Sequence, residues 1–195
     1  LQADKPARSI ELHSHEERKI FKQLALLTGK PVLYVCNVQE SDAAKGNALT
    51  EKVRLAVEKE GGRIAIISAA IEAEIASLES EEDKISFLQD MGLSETGLTR
   101  VIREGYALLD LITFFTVGPK EARAWTVHRH AKAPEAAGVI HTDFDRGFIR
   151  AETIAYDDFV SLNGEQGAKA AGRLRLEGKE YEVQDGDIFH FRFNV

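Results

Sequence analysis

Residues 31–36, Pro-Val-Leu-Tyr-Val-Cys, form an apolar run followed by Asn37, and such a run is typical of a strand buried on both faces of a parallel sheet. Apolar residues then recur at helical spacing from Leu49 to Glu60, and Gly61-Gly62 end that pattern. A second apolar run, Arg63 to Ser68, follows directly. Strand, helix and strand in this order predict a right-handed βαβ unit, whose ligands bind in the loops after the strands.

Helices are expected on both sides of this unit. Before it, Ser14 is suited to be the N-cap of a helix that Gly29 and Pro31 end. After it, two helical patterns run from Glu81 to Met91 and from Glu95 to Leu111. We expect these two helices to pack on the sheet. The second has one apolar face, made of Leu98, Val101, Ile102, Tyr106 and Leu109.

The pattern changes after Leu111 to alternation with period two, which is typical of short strands in hairpins. The predicted elements are strands at 112–117 and 122–127, a helix at 134–140, and three short strands near Arg173, Tyr181 and Ile188. This arrangement predicts a small α+β domain of hairpins around one helix, consistent with a ubiquitin-like β-grasp. The fold class is therefore an α/β segment followed by a small α+β domain.

Composition and charge restrict the cellular location and the partners expected for the chain. The longest apolar runs are far below the roughly 20 residues needed to cross a bilayer, and Leu1 to Ile10 lacks the apolar core of a secretory signal. The single Cys36 agrees with a reducing compartment, so a cytoplasmic location without a membrane partner is expected. A net charge of -7 repels phosphate backbones, and any nucleic-acid contact therefore requires a local basic patch.

Polar residues follow both predicted strands: Asn37-Val38-Gln39-Glu40 after the first and Ser68-Ala69-Ala70 after the second. GTP-binding proteins carry Asn-Lys-x-Asp and Ser-Ala-x at these two places. An Asn amide can donate to the purine N7, and a carboxylate three residues later can accept two guanine N–H bonds. Backbone N–H groups of the Ser-Ala loop can meet the exocyclic group of the base. The joint placement indicates a purine site, although Asn37 and Glu40 could instead simply form a capped loop before the next helix.

Two departures from the GTP-binding pattern concern base selectivity. Glu40 is one methylene longer than Asp, which displaces its carboxylate from the place that pairs with guanine. Losing such a pair of hydrogen bonds can reduce the selectivity for guanine over adenine by on the order of 10⁴-fold, which is enough to let adenine compete. Val38 replaces the Lys whose stem covers the ring face.

Four blocks of the chain resemble the YchF/Obg-like ATPase family. Lys30–Glu40 is similar to its altered base-specificity motif, Asn-x-x-Glu, and Ser68–Ile75 is similar to its Ser-Ala-x-x-Glu loop. Leu111–Gly118 and His141–Glu152 resemble signatures of its TGS domain. The resemblance covers nearly the whole chain.

The resemblance implies a ribosome-associated NTPase that accepts ATP as well as or better than GTP, with Mg²⁺. Residues 1–28 would be the end of a helical, coiled-coil insertion and a connector. Residues 29–111 would be the C-terminal part of the nucleotide-binding G domain, a partial P-loop NTPase segment with a Rossmann-like parallel sheet, and 112–195 would be the TGS domain. The base would be contacted by Asn37, Val38, Glu40, Ser68, Ala69 and Ala70.

The chain contains no Gly-x-x-x-x-Gly-Lys-Ser/Thr phosphate loop, and the Mg²⁺-binding residues of the family are also missing. It therefore resembles a fragment that carries no catalytic residue and would be inactive alone, because phosphoryl transfer depends on the phosphate cradle and the metal. The alternative function is a non-catalytic module that binds ribosomes or structured RNA through the TGS domain.

Cationic residues of the second half are the candidates for such a contact, without sequence-specific DNA binding. They are Lys120, Arg123, Arg129, Lys132, Arg146 and Arg150. A solvated surface is the competing interpretation. Phe144, Phe148 and Ile149 lie in a predicted loop, where they could stack on RNA or anchor the core. His128 and His130 would share a strand face, but no third metal ligand is identified, and a solvent-facing edge is favoured.

Overall fold

The computed structural model describes residues 5–194, which divide after Leu109 into two compact units. The first four residues of the predicted 1–28 segment therefore lie outside the described range. Within that range, no helix combines the length and the apolar character that a bilayer crossing requires. The mixed α/β class predicted from the sequence is confirmed, with one parallel sheet and one mixed sheet.

The first unit contains the predicted βαβ unit. Strands β1 (Leu33–Asn37) and β2 (Arg63–Ile67) pair in parallel, in register from Leu33 with Arg63 to Asn37 with Ile67. Helix α2 (Ala48–Lys59) connects them, and the side chain of its N-cap Asn47 accepts hydrogen bonds from two backbone N–H groups of the first turn. The remaining helices are α1 (His15–Gln23), α3 (Ala69–Ser77), α4 (Glu81–Asp90) and α5 (Gly97–Leu108).

Helix α1 begins as predicted and ends earlier. Ser14 is its N-cap and forms a capping box with Glu17, which satisfies orphan N–H groups of the first turn. The helix ends at Gln23, because Ala25 has a positive φ of 47° that a right-handed helix excludes. A short 3₁₀ helix, Leu27–Gly29, occupies the rest of the predicted helical stretch.

Two expectations for the first unit are wrong, and a third holds in part. Val35 is 47% exposed, so β1 is not buried on both faces; its sheet has only two strands in the described residues. Helix α5 packs on β2 and β1 as expected, but Leu98 and Ile102 of its apolar face are 63% and 52% exposed. The stretch 68–71 is not a loop, because α3 starts at Ala69.

The second unit is built around a five-stranded sheet of order β4-β3-β7-β5-β6, in which β3 and β7 are parallel and the other neighbours antiparallel. Its strands are β3 (Leu111–Val117), β4 (Ala122–His128), β5 (Phe148–Ala155), β6 (Arg175–Glu177) and β7 (Asp187–Phe193). Its helices are α6 (Ala133–Ile140), α7 (Thr142–Arg146), α8 (Tyr156–Ser161) and α9 (Glu165–Ala170).

An aromatic core fills one face of this sheet. Phe114 is fully buried, with its ring centroid 5.6 Å from that of Phe189 and 6.1 Å from that of Phe191. Ala133, Ala136 and Ala137 of α6 are also fully buried against this cluster. Small residues on the helix let it approach the large rings of the strands closely, which is how the two layers fill space at native density.

The strands of the second unit differ in part from the expectation. Strands β3, β4 and β7 and helix α6 lie where the period-two pattern and the helical pattern predict them. The strand predicted near Tyr181 is reduced to one isolated bridge between Lys132 and Glu182, and the strand predicted near Arg173 begins only at Arg175. The predicted loop around Phe144 and Phe148 is helix α7 followed by β5.

Candidate functional site

The two groups of site residues that the sequence predicts lie side by side in the first unit. Because β1 and β2 are parallel and in register, Asn37 and Ile67 are paired at the same edge of the sheet. Ser68 and Ala69 follow Ile67 directly. The backbone N–H of Val38 donates to the Ile67 carbonyl at 2.9 Å, which extends the pairing one residue beyond the strand.

One side-chain hydrogen bond joins the two groups. The backbone N–H of Ala69 donates to Asn37 Oδ1 at 2.9 Å, although the two residues are 32 positions apart in sequence. The carbonyl oxygen of the Asn37 side chain is therefore engaged, and its Nδ2 group has no partner among residues 5–194. Asn37 and Ala69 are both exposed, so this remaining donor is accessible to a ligand.

Ser68 carries an unsatisfied polar group at the same place. It is the N-cap residue of α3 and only 3% exposed, yet its Oγ has no hydrogen-bond partner in the described part of the chain. Buried hydroxyl groups in native proteins nearly always have a partner, and an orphan near a candidate site points to a functional constraint there. The start of α3 also provides the backbone N–H group of exposed Ala70, whereas that of Ala69 is already engaged by Asn37 Oδ1.

Glu40 and Val38 occupy different environments. Glu40 is exposed at the start of a 3₁₀ helix, Glu40–Asp42, where a carboxylate can face solvent or a ligand. Val38 is half-buried and packs against the cluster that contains Ala43 and Ile71. Its side chain therefore helps to fix the turn.

The cap of the following helix is formed by a residue outside the predicted motif. Asn47 Oδ1 accepts from the N–H groups of Leu49 and Thr50, and Asn47 Nδ2 donates to Asp42 at 2.8 Å. The side chains of Asn37 and Glu40 take no part in this cap.

Sequence reasoning missed a second set of polar residues beneath the site. Glu72 of α3 accepts hydrogen bonds from the N–H groups of Gly97 (2.6 Å) and Leu98 (3.1 Å) at the start of α5. Arg100 of α5 donates to the Ile66 carbonyl at 2.8 Å. Glu72 lies within a stretch that resembles the family's Ser-Ala-x-x-Glu loop, but no sequence pattern connects it with residues 25 and 26 positions away.

The six cationic candidates of the second unit fall into two groups. Arg129 pairs with Asp110 at 3.1 Å and Lys132 pairs with Glu180, which raises the pKa of Lys132. Arg123 lies 4.1 Å above the ring of Trp125 and 4.0 Å from Glu121. The other three are exposed and have no ion pair within 4 Å with a described residue: Lys120, Arg146 and Arg150. Arg150 nevertheless contributes to the lowered pKa of Glu152.

The aromatic candidates are divided between core and surface. Phe148 is 4% exposed and belongs to the core of the second unit. Phe144 is half-buried and stacks on Phe193 with 3.8 Å between the ring centroids. Ile149 is 56% exposed. The core interpretation therefore describes Phe148, and only Ile149 of the three is open to solvent.

The histidines do not share a strand face. His128 is the last residue of β4, while His130 lies in the following turn with a φ of 66° and contacts Glu182. In the part of the chain that the structure describes, no three His, Cys, Asp or Glu side chains are grouped so that they could hold a metal ion.

Comparison with known proteins gives one family. The model YchF-GTPase_C, described as a protein of unknown function (DUF933), matches residues 111–194. The "Ribosome-binding ATPase YchF" of Bacillus subtilis is 53% identical over 197 residues, which cover 100% of this chain and 53% of the relative. That of Haemophilus ducreyi is 58% identical over 188 residues, covering 96% and 51%.

A solved structure, the Schizosaccharomyces pombe YchF GTPase, superposes with a TM-score of 0.81 at 34% identity. It is matched over 98% of this chain and 50% of its own length. The chain thus spans about half the length of the curated relatives it matches.

Proposed function

Because the chain belongs to the YchF family and spans about half the length of its curated relatives, we propose that it supplies the base-contacting half of a purine-nucleotide site. The whole protein would be a cytoplasmic, ribosome-associated NTPase that hydrolyses ATP and tolerates GTP. In this proposal the first unit is the C-terminal part of a P-loop G domain, and the second is a TGS domain.

The observation that carries the proposal is the hydrogen bond from the Ala69 N–H to Asn37 Oδ1. It uses the acceptor of the Asn37 side chain and thereby fixes the orientation of the amide plane. The Nδ2 group then points its N–H donors away from this hydrogen bond, and one of them can bind the N7 acceptor of a purine. A donor that is oriented before the ligand arrives loses little entropy on binding.

The start of α3 supports the same role. The N–H group of exposed Ala70 is placed for the exocyclic substituent of a base, while the Ala69 N–H contributes by holding Asn37 Oδ1, and the unpaired Ser68 Oγ is a further polar atom at this edge. The residues present therefore fit a purine ring.

Glu40 determines how selective this site can be. Its exposed carboxylate can accept from the exocyclic amine of adenine or from the N–H groups of guanine. One carboxylate that serves either base gives weak discrimination, and hydrolysis of ATP with some tolerance of GTP is the consequence we propose.

The remaining chemistry belongs outside this chain. The nucleotide's phosphates and Mg²⁺ would be held by the other half of the protein, since this sequence has no phosphate loop. The part described here would bind and orient the base. We therefore expect no NTP hydrolysis by residues 1–195 alone.

Two substitutions of Asn37 in the full-length protein test the proposal. Asn37→Asp keeps an oxygen for the Ala69 N–H but replaces the donor with a second acceptor, whereas Asn37→Ala removes both. We expect Asn37→Asp to weaken ATP binding about 10- to 100-fold, because a hydrogen bond is lost and a repulsion gained. Inorganic tripolyphosphate, which has no base, should bind equally to all three proteins. ATP affinity that is unchanged in both variants would overturn the assignment.

A docking role for the second unit is the second candidate, and the three unpaired cations Lys120, Arg146 and Arg150 favour it. Replacing Lys120 and Arg150 by Ala should reduce co-sedimentation of the chain with ribosomes and flatten its salt dependence, because each phosphate contact contributes to the slope. Arg129→Ala is the matched control, since Arg129 is already paired with Asp110. An equal effect of Arg129→Ala would argue against docking through the unpaired cations.

A further inference from the structure

Arg100 connects two backbone segments beneath the candidate site. Its Nη1 donates to the Ile66 carbonyl at 2.8 Å and lies 3.4 Å from the Ala43 carbonyl. Ile66 is the penultimate residue of β2, two positions before Ser68, and Ala43 closes the 3₁₀ helix that begins at Glu40. A single guanidinium group thus contacts the residue two positions before Ser68 and a residue that follows the Asn37–Glu40 turn.

These contacts lie in a protected environment. Ile66 is 9% exposed and Ala43 is 3% exposed, and the Arg100 side chain itself is only 21% exposed. Hydrogen bonds from a charged donor to buried carbonyls are stronger than neutral ones, and a buried carbonyl that loses its donor is costly. The separation of the two segments is therefore coupled to the position of Arg100.

Glu95 holds the guanidinium from the other side. The Glu95 carboxylate lies 3.7 Å from Arg100 Nε. Both of its oxygens also accept hydrogen bonds from Arg103. The Glu95 side chain is 16% exposed, so this pair is screened less than a surface pair. Glu95 restricts the rotamers available to Arg100.

The position of α5 along its own axis is fixed by α3. Glu72 of α3 accepts hydrogen bonds from the N–H groups of Gly97 and Leu98. The first turn of α5, which carries Arg100, is therefore anchored to α3. A Cβ on Gly97 would lie 2.9 Å from Glu72 Oε1, which shows how closely the two segments approach. Arg100 follows Gly97 by about one helical turn and is thereby presented to the end of β2.

We propose that Arg100, oriented by Glu95, is a positioning residue for the purine site and sets the distance between the Asn37–Glu40 turn and the Ser68–Ala69 turn. The inference rests on the proposed function of that site. Arg100 acts through the Ile66 and Ala43 carbonyls and not through the nucleotide. Its effect therefore falls on the base and its orientation, and the phosphates are unaffected.

The test uses Arg100→Met in the full-length protein, with binding of ATP, GTP and inorganic tripolyphosphate measured separately. Met keeps an apolar stem and removes the donors. We expect ATP affinity to fall about tenfold, because sub-ångström displacement of a positioned group is costly, while tripolyphosphate affinity stays constant. Arg100→Lys should restore part of the ATP affinity, since an ammonium group can donate to one of the two carbonyls. Arg54→Met, which alters an exposed arginine of α2 that pairs with Glu51, is the matched control and should leave the affinities for all three ligands unchanged.

The outcomes separate this inference from the function on which it rests. If Asn37→Asp lowers the ATP affinity while Arg100→Met leaves that affinity unchanged, the role of Arg100 is overturned and the purine site is kept. Unchanged ATP affinity in both variants would remove the site as well. An equal loss of ATP and tripolyphosphate binding would mean general damage to the fold and would also overturn the inference. Glu95→Gln provides a second variant, with the same direction and a smaller loss expected, should Arg100→Met fold poorly.

Discussion

Two glycines of helix α5 should respond to the same substitution with opposite signs. Gly105 lies in the interior of the helix, where Ala is favoured over Gly by about 1 kcal/mol, and Gly97 is its first residue, where that preference is an upper bound. A Cβ on Gly105 meets nothing within 4 Å. Gly105→Ala should therefore raise the free energy of unfolding by up to about 1 kcal/mol.

Gly97→Ala places its new methyl group 2.9 Å from Glu72 Oε1 and 2.9 Å from Ile67 Cγ2. Carbon atoms normally rest about 3.5–4.0 Å apart, so the carboxylate or the strand must move. Losing the hydrogen bonds from Gly97 and Leu98 to the charged Glu72 costs about 1.5–3 kcal/mol, and helix propensity returns at most about 1 kcal/mol. Even with the full propensity gain, the net loss is about 0.5–2 kcal/mol.

The assay is urea denaturation of the chain, followed through NMR signals of β2 amides so that the first unit is observed directly. The two variants should differ by roughly 1.5–3 kcal/mol in the free energy of unfolding, with the parent protein between them. Equal stabilities of the two variants, or a Gly97→Ala protein as stable as the parent, would refute the account of the α3–α5 contact.

Three further predictions concern single side chains. Burial, together with a hydrogen bond to Asp187, raises the pKa of Tyr181 to about 12. The stability that its neutral phenol contributes is therefore complete below about pH 10 and lost between pH 10 and about 12. A titration followed by tyrosinate absorbance should show a midpoint near this pKa, and Asp187→Asn should lower that midpoint. Phe114→Ala should destabilise the second unit by about 3–5 kcal/mol, measured through the fluorescence of Trp125, because a fully buried ring is removed. Asn47→Ala should cost about 1 kcal/mol in the first unit and Asn47→Ser much less, as seen in denaturant midpoints, because Ser retains a capping oxygen.

Local rules predicted the elements whose sequence patterns are unbroken. The β1-α2-β2 unit follows from two apolar runs and the glycine pair at 61–62, and Ser14 was identifiable as a cap because its partner Glu17 follows three residues later. The positions of Asn37 and Ser68 at the strand ends follow from the same pattern.

Elements were missed where tertiary contacts override the local pattern. Strand β5 contains a register shift between Phe148 and Arg150, which interrupts the alternation expected of a strand. The family motif predicts a loop at Ser68, whereas Ile71 and Ile75, four residues apart and both buried, mark the inner face of α3.

The supporting residues of the site could not be predicted from one sequence. Arg100 recognises backbone carbonyls, which every residue possesses, so its partners Ile66 and Ala43 leave no signature in residue types. Glu72 likewise binds the N–H groups of Gly97 and Leu98. Contacts of this kind become visible only in three dimensions.

The proposed site places a purine ring between the ends of β1 and β2. The most direct measurement is an NMR titration of the full-length protein with ATP and Mg²⁺, with the Ala69 amide and the Asn37 side-chain amide assigned. We predict that both resonances shift on addition of ATP and remain in place on addition of tripolyphosphate and Mg²⁺. Shifts produced equally by tripolyphosphate, or base-dependent shifts confined to other residues, would contradict the claim.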